Sequence, residues 1–305
     1  MRQLPLQIHL FGRFSVRCDG GSVAILEARK VQELFCYLLI HRDRPHFRES
    51  LAGVLWSEKT IAQSRKYLRQ ALWELQVDLA AVKTTGCDLF KIEAEWISLN
   101  PAADIWVDTA TFQQAFNATH GIMGEKLAAE QAQLLDRAVC LYTGQLLEGY
   151  YQDWCLFARE RLENMYFSVL DKLMGYCEVN LEFEKGVDYA ALALREDRAH
   201  ERTHQRLMRL YYTAGDRAGA LRQYERCIQA LQEELDVKPS PNTVALYAHI
   251  KANRALTTNA LTAVPASNRA STSSLSTIRH GLEELLVVLS TLEEQFRDEL
   301  PGDNL

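Results

Sequence analysis

The stretch from residue 61 to residue 79, IAQSRKYLRQALWELQVDL, places its apolar residues at the spacing of one helix face. They recur three and four positions apart, a period that predicts an amphipathic helix. At about 100° per residue, the first residue of the stretch falls on the same side. The stripe consists of Ile61, Leu68, Ala71, Leu72, Leu75 and Leu79. One face of this helix therefore belongs to a core, and neighbouring segments must cover it.

The opposite face of the same helix combines cations, amides and a large aromatic. It carries Lys66, Gln70, Trp73 and Val77, with Gln63 and Arg69 on its flanks. Arg, Lys and Gln side chains can bond phosphates and base edges in the major groove of DNA. An ordinary amphipathic surface helix would show the same pattern, and for this stretch alone it is the better explanation. The neighbouring segments decide between the two.

The segments around this helix predict a winged helix. Residues 4–26 alternate in the manner of strands, with a turn at Asp19-Gly20-Gly21. Two further helices are predicted at 28–41 and 47–56, and two short strands lie within 88–92 and 96–99. Three helices closed by a hairpin form a winged helix, whose third helix enters the major groove while the hairpin lies against the backbone.

Other side chains near this helix are candidate DNA contacts. His46 and Arg48 stand at the start of the second helix, where free backbone N–H groups also attract phosphate. Lys91 in the hairpin could contact a phosphate, although a solvated lysine would show the same pattern. Arg65 lies at the edge of the buried stripe, so it is a weaker candidate for a DNA contact than Lys66 and Arg69. For Trp73, the sequence supports packing against the hairpin near Trp96 as well as it supports a contact with DNA.

The charge is unevenly distributed along the chain. The total of −6 at pH 7 divides into +3 for residues 1–100 and −9 for residues 101–305. A basic N-terminal unit on an acidic remainder is typical of a nucleic-acid module joined to a protein-facing one. The excess of +3 is modest for a DNA-binding domain.

From residue 108 onward the pattern is helical almost throughout, and it repeats at an offset of 34 residues. The predicted helices are Asp108–Ala118, Glu125–Leu141, Asp153–Asn180, Lys185–Glu196, His200–Ala214, Arg217–Leu235 and Thr243–Leu256. Leu173, Met174 and Cys177 recur as Leu207, Met208 and Tyr211, and Gly186 and Val187 recur as Ala220 and Leu221. A 34-residue period of helix pairs is that of the tetratricopeptide (TPR) repeat. Small residues at 186 and 220 would let paired helices approach closely. The full TPR consensus is absent.

The segments ARKVQELFCYLLIHRDRPHFRESLAGVLW and SRKYLRQALWEL resemble the winged helix of SARP-type bacterial regulators, relatives of the OmpR type. The match runs through Leu68-Arg69-Gln70-Ala71-Leu72 and Leu75, and then departs. Where that family often has two arginines, this chain has Gln76 and Val77. The departure removes positive charge from the C-terminal half of the helix.

The helical region resembles the bacterial transcriptional activator domain that follows the winged helix in SARP proteins. The matching pieces are VDTATF, LYTGQLLEGYYQDW, HERTHQRLMRLYYTAGDRAGALRQYE and ELDVKPSPNT. The resemblance implies a mainly α protein, with an α+β winged helix over residues 1–100 and an all-α TPR-like domain over 104–256. It implies a transcriptional activator that binds double-stranded promoter DNA at direct repeats and contacts RNA polymerase. A winged helix that has lost specific DNA binding, leaving a protein-interaction module, is the alternative.

The C-terminal part of the sequence predicts a linker and one more helix. Residues 257–277 are rich in Ser, Thr, Ala and Asn, as flexible linkers are. Between residues 278 and 300 apolar residues alternate at spacings of four and three, which is the pattern of a coiled-coil seam. We expect this helix to favour a homodimer over docking on its own chain.

The sequence HERTH at 200–204 fits the HExxH motif, in which two histidines bind zinc and the glutamate is a general base. Zincin helices are usually uncharged at the two middle positions, whereas Arg202 is charged here. The segment also lies within the helical repeat. A zinc metallopeptidase through His200, Glu201 and His204 is therefore a minor alternative, and we expect no enzyme and no cofactor.

Two further expectations concern the cell compartment. No apolar run is long enough to cross a bilayer, and the N-terminus lacks the apolar core of a signal peptide. The seven cysteines are scattered without a CxxC pair, as in proteins that keep their thiols reduced. Together these features predict a cytoplasmic protein without membrane contact.

Overall fold

The structure of the protein is a computed structural model that describes residues 6–18, 21–22, 26–81 and 88–253. The predicted linker at 257–277 and the predicted helix at 278–300 lie outside the described residues. Within the described part, none of the helices is long and apolar enough to cross a membrane. The residues up to Lys251 form one compact unit.

The N-terminal sheet has four strands: β1 (Leu6–His9), β2 (Ser15–Cys18), β3 (Gly21–Ser22) and β7 (Ile105–Val107). Their order is β3-β2-β1-β7, with β1 antiparallel to β2 and parallel to β7. Leu6 and Ile8 of β1 are buried, so the predicted alternation holds there. The sequence did not indicate β7, which joins the sheet by pairing with β1 across about a hundred residues of chain.

The winged helix follows the predicted plan. Its helices are α1 (Arg29–Ile40), α2 (Arg48–Leu55) and α3 (Ile61–Ala81), and its second sheet is formed by β4 (His46–Phe47), β5 (Phe90–Ile92) and β6 (Trp96–Leu99) in the order β4-β6-β5. From Leu34 to Ile40 every residue of α1 is buried, because α1 contacts α3 on one side and the helical region on another. The stripe predicted for α3 is buried from Leu68 to Leu75, but Ile61 is 66% exposed, so the prediction that it belongs to the buried stripe is wrong.

The helical region begins directly after β7. Its helices are α4 (Asp108–Ala118), α5 (Ala129–Val139), α6 (Asp153–Asn180), α7 (Phe183–Glu196), α8 (Glu201–Thr213), α9 (Arg217–Leu235) and α10 (Pro241–Lys251). A single helix was predicted at 125–141; the chain instead forms a 3-10 turn at Gly124–Lys126 before α5. The fold is therefore mainly α, with a winged helix followed by helix pairs, as predicted.

The 34-residue repeat corresponds to two helical hairpins, α6 with α7 and α8 with α9. Gly186 on α7 lies so close to α8 that a Cβ built on it would come within 2.9 Å of a methyl of Leu210. The equivalent Ala220 on α9 is fully buried. These small residues allow the close helix approach that the repeat predicted.

Asp108, the first residue of α4, fastens the N-terminal sheet to the helical region. Its buried carboxylate accepts hydrogen bonds from the backbone N–H groups of Leu10 (2.8 Å), Phe11 (2.9 Å) and Thr109 (2.6 Å). Burial raises the pKa of Asp108 to about 6, although these hydrogen bonds act in the opposite direction. The Asp108 side chain therefore holds the segment that follows β1 against the first turn of α4.

We expect Asp108→Asn to lower the free energy of unfolding at pH 7 by about 2 kcal/mol, because an amide offers one acceptor oxygen to three buried donors. Urea denaturation measures this change. Because the folded-state pKa is raised, the wild-type protein gains stability as pH falls from about 6 towards 4, and the variant lacks this gain. Asp104→Asn, at an exposed residue four positions earlier, is the control. Equal urea midpoints for the two variants would show that the Asp108 carboxylate does not stabilise the contact between the N-terminal sheet and α4.

Candidate nucleic-acid interface

The start of α3 is fixed by its own side chains and by α2. Thr60 and Gln63 form a reciprocal cap, each accepting a hydrogen bond at 3.4 Å from the backbone N–H of the other. The hydroxyl of Ser64 donates to the carbonyl of Trp56 at 3.1 Å. The helix then buries Leu68, Leu72 and Leu75, so its opposite face must point outward. Gln63 is thus exposed but already bonded within the cap.

The outward face of α3 presents the two cations predicted to bind DNA. Lys66 and Arg69 are both exposed, and no hydrogen bond or ion pair engages their side chains among the residues that the structure describes. Arg65 differs from them because its guanidinium forms an ion pair with Glu49 on α2 at 2.6 Å. An exposed ion pair of this kind contributes little to stability. It does occupy the side chain, which supports ranking Arg65 below the two free cations.

Gln70 and Trp73 continue this face. The amide of Gln70 donates to the carboxylate of Glu74 at 2.9 Å, one turn further along. Trp73 is 64% exposed. Of the two interpretations of Trp73, packing on the hairpin finds no support, because Trp96 instead packs edge-on against Phe47 with ring centroids 5.4 Å apart. Within the described residues, Trp73 forms no ring contact.

The hairpin β5–β6 places one cation on its outer side and two acids at its tip. Lys91 on β5 is exposed, as are Glu93 and Glu95 in the turn. The backbone N–H of Arg48 donates to the carbonyl of Glu95 at 2.8 Å, and its guanidinium lies 3.3 Å from the carbonyl of Glu93. Arg48 is therefore half-buried beside the hairpin. The carboxylates at the tip oppose a close approach of that turn to phosphates.

His46 is placed differently from the prediction. It was expected at the exposed start of the second helix, but it belongs to β4 and is only 7% exposed. Its ring packs edge-on against Tyr37, and its Nε2 lies 2.9 Å from the carbonyl of His41. This burial argues against a phosphate contact, and we remove His46 from the proposed interface. No sequence pattern indicated β4, because the strand has only two residues and depends on pairing with β6.

The three residues of the HExxH motif each have a structural partner. His204 is buried; its Nδ1 accepts a hydrogen bond from the amide of Gln223 at 2.7 Å, and its Nε2 donates to the carbonyl of Arg198 at 2.9 Å. Burial lowers the pKa of His204, so the neutral ring required by this arrangement is favoured. Glu201 accepts from the backbone N–H of Ser240 at 2.7 Å.

The other histidine of the motif stacks on Phe167, with ring centroids 4.5 Å apart, and its Nδ1 lies 2.7 Å from the hydroxyl of Thr203. The described residues contain no group of three or more His, Cys, Asp or Glu side chains that could hold a metal ion. The motif therefore joins α8 to α9 and to the segment before α10. This geometry favours a structural role over zinc chemistry.

Comparison with known proteins supports the resemblance found in the sequence. Residues 107–251 match the family model of the bacterial transcriptional activator domain. The fold is similar to that of the solved structure titled Mycobacterium tuberculosis EmbR in complex with low affinity phosphopeptide, with a TM-score of 0.68 and 21% identity. That match covers 90% of this chain and 70% of the other. No curated protein matches the chain. Residues 107–251 thus match a bacterial transcriptional activator domain, and the likeness to the EmbR structure concerns the fold.

Proposed function

We propose that the protein binds promoter DNA through residues 1–100 and activates transcription through contacts made by residues 104–256. One observation carries the proposal: Lys66 and Arg69 lie exposed on the third helix of a winged helix, without a partner among the residues that the structure describes. The activator-domain match over residues 107–251 adds the transcriptional role. In this proposal, α3 enters the major groove, and its N-terminal half carries the cations that bind DNA.

The proposed contacts have different tasks. Lys66 and Arg69 bond phosphates and base edges, and Gln70 can leave Glu74 to bond an adenine edge. Arg48 and Lys91 lie beside and on the hairpin, where they would position the domain on the DNA backbone. Phosphate contacts of this kind fix orientation, whereas base contacts select the sequence. Arg65 and Gln63 have local partners and contribute less.

The helical region is proposed to contact RNA polymerase, an effector or a second copy of the chain. Stacked helix hairpins present long surfaces that other proteins can bind. Near the start of α6, Tyr151 and Phe157 are 74% and 72% exposed, so this part of the surface offers aromatic side chains that a partner could cover. The coiled-coil spacing of residues 278–300 supports a homodimer, which would suit binding at repeated sites.

A second candidate function is a protein-interaction module whose winged helix no longer binds specific DNA. Glu93 and Glu95 at the hairpin tip favour it, because they oppose phosphates. Exposed Trp73 and Val77 on α3 favour it as well, since both are apolar. Binding of DNA by the purified protein separates the two candidates.

We expect the purified full chain to enrich a small set of fragments from the genome of its source, with a repeated element in each. The reason is that exposed cations supply affinity while base contacts on α3 supply selection. Sequencing of the captured fragments measures the enrichment. Capture at several salt concentrations measures how much of the DNA affinity is electrostatic. Uniform recovery of fragments, lost at moderate salt, would favour the interaction module.

A further inference from the structure

The outward ridge of α3 changes its chemistry halfway along the helix. Lys66, Gln70, Trp73 and Val77 follow one another at spacings of four, three and four residues, so they form one line on the helix surface. The first two are polar. Trp73 and Val77 are 64% and 48% exposed. If α3 lies in the major groove, this line faces the base pairs over both halves.

We propose that Trp73 and Val77 recognise the 5-methyl groups of thymines, so that the C-terminal half of α3 selects thymine-containing steps. This inference rests on the DNA binding proposed above. In the major groove, thymine presents a C5-methyl group, an apolar feature that the other three bases lack. An apolar strip facing the groove therefore has one chemically matching target on the bases.

The positions of Trp73 and Val77 along α3 predict where the recognised thymines lie on the DNA. With a rise of about 1.5 Å per residue, Trp73 lies about 10 Å and Val77 about 16 Å along the helix from Lys66. Base pairs are about 3.4 Å apart along the DNA axis, and the groove is inclined to that axis, so these residues lie at most about three and five base pairs from the Lys66 contact. The selected thymines should therefore lie on one side of the position read by the cations.

The charges around the strip argue against phosphate contacts there. Glu74 and Asp78 lie on one flank and neutral Gln76 on the other. Carboxylates repel phosphates, so the flank with Glu74 and Asp78 disfavours contact with the DNA backbone. Trp73 is also not covered by the hairpin, because the ring contact of Trp96 is with Phe47. Apolar contact with bases is therefore the favoured source of affinity for Trp73 and Val77.

Replacement of deoxythymidine by deoxyuridine tests the proposal, because it removes the methyl group and keeps every hydrogen-bonding atom of the base. In a duplex carrying a captured site, each thymine is replaced in turn and the Kd of the full chain is measured. We expect one or two positions, within about two base pairs of each other, to weaken binding about fourfold each, the effect of losing one buried methyl group. In Trp73→Ala, the replacement at the position that Trp73 contacts should have no effect.

Ile61→Ala is the matched control. Ile61 is as exposed as Trp73 and lies on the same helix, but on the side of the buried stripe. This variant should keep the full response to deoxyuridine. Thermal unfolding checks that the variants remain folded, as expected for exposed sites.

Three outcomes would overturn the proposal. If the wild-type chain binds its sites but does not respond to deoxyuridine at any position, thymine methyl groups are not recognised, although DNA binding stands. If Trp73→Ala weakens binding but keeps the deoxyuridine response, Trp73 acts through another protein surface. If the wild-type chain does not bind DNA specifically, the proposed function fails together with this inference.

Discussion

The variant in which Lys66 and Arg69 are both replaced by alanine should bind the captured DNA at least about tenfold more weakly than the wild-type chain. Each lost phosphate or base contact costs about 1 kcal/mol or more. Both side chains are exposed and have no partner among the described residues, so their removal leaves the fold unchanged. Titrations of labelled duplex measure the Kd at several salt concentrations. The slope of log K against log salt should fall by about two, because two fewer counterions are released.

A charge-matched control separates local contact from net charge. The double variant Lys185→Ala with Arg195→Ala removes the same two charges from α7, where the two side chains are 66% and 64% exposed. It should change affinity little. Arg65→Ala should have an intermediate effect, because its guanidinium is held by Glu49. If the Lys66 and Arg69 double variant bound DNA as tightly as the α7 control, the outward face of α3 would not be the interface.

The long helices of this fold could be predicted from the sequence. The predicted limits of Asp108–Ala118, Asp153–Asn180 and Arg217–Leu235 coincide with those of the structure. The reason is physical: a long amphipathic helix carries its period in the local sequence. The 34-residue repeat could be predicted for the same reason, because each hairpin buries its own apolar stripe.

The elements that sequence reasoning missed depend on distant partners. The strand β7 consists of three residues and pairs with β1 across about a hundred residues of chain. His46 is buried because it belongs to the two-residue strand β4, which pairs with β6. Nothing in either short segment indicates its partner, since pairing of this kind has no local period.

The same limit applies to the candidate interface. The sequence identified the outward face of α3 but could not show which of its polar side chains were already bonded. Arg65 and Arg69 are equally basic in the sequence, yet one is paired with Glu49 on another helix and the other is exposed without a described partner. The distinction arises from the packing of α2 against α3. The structure therefore sharpens the choice of residues without testing the binding itself.

Arg206 on α8 holds together three elements that the sequence did not connect. Its side chain is 9% exposed and forms ion pairs with Glu125 at 2.7 Å, Asp171 at 3.0 Å and Glu178 at 3.1 Å. Glu125 belongs to the 3-10 turn, and the two other acids belong to α6. Burial opposes the charged forms, but Arg206 still lowers the pKa of Asp171, and the surrounding carboxylates raise the pKa of Arg206 itself. The attraction within the network thus exceeds the cost of burial.

We expect Arg206→Ala to lower the free energy of unfolding at pH 7 by about 3–5 kcal/mol, because it leaves buried carboxylates without their shared cation. Urea denaturation followed by circular dichroism measures the change. Arg202→Ala is the matched control: Arg202 also pairs with Asp171, at 2.7 Å, but its side chain is 67% exposed. An exposed pair contributes at most about 1 kcal/mol. Arg206→Met keeps most of the volume, so a similar loss would assign the effect to charge and hydrogen bonding.

The pH dependence distinguishes this network from simple packing. The pKa values of Asp171 and Glu125 are lowered in the folded state, with Arg206 among the causes. Their contribution is therefore fully present above the unfolded values of about 4 and is lost as pH falls through the folded values. The difference between wild type and Arg206→Ala should be largest near pH 7 and shrink below about pH 4. A difference that stays constant over this range would mean that Arg206 acts through its packing. A loss no larger than that of Arg202→Ala would mean that α6, α8 and the 3-10 turn are held together without it.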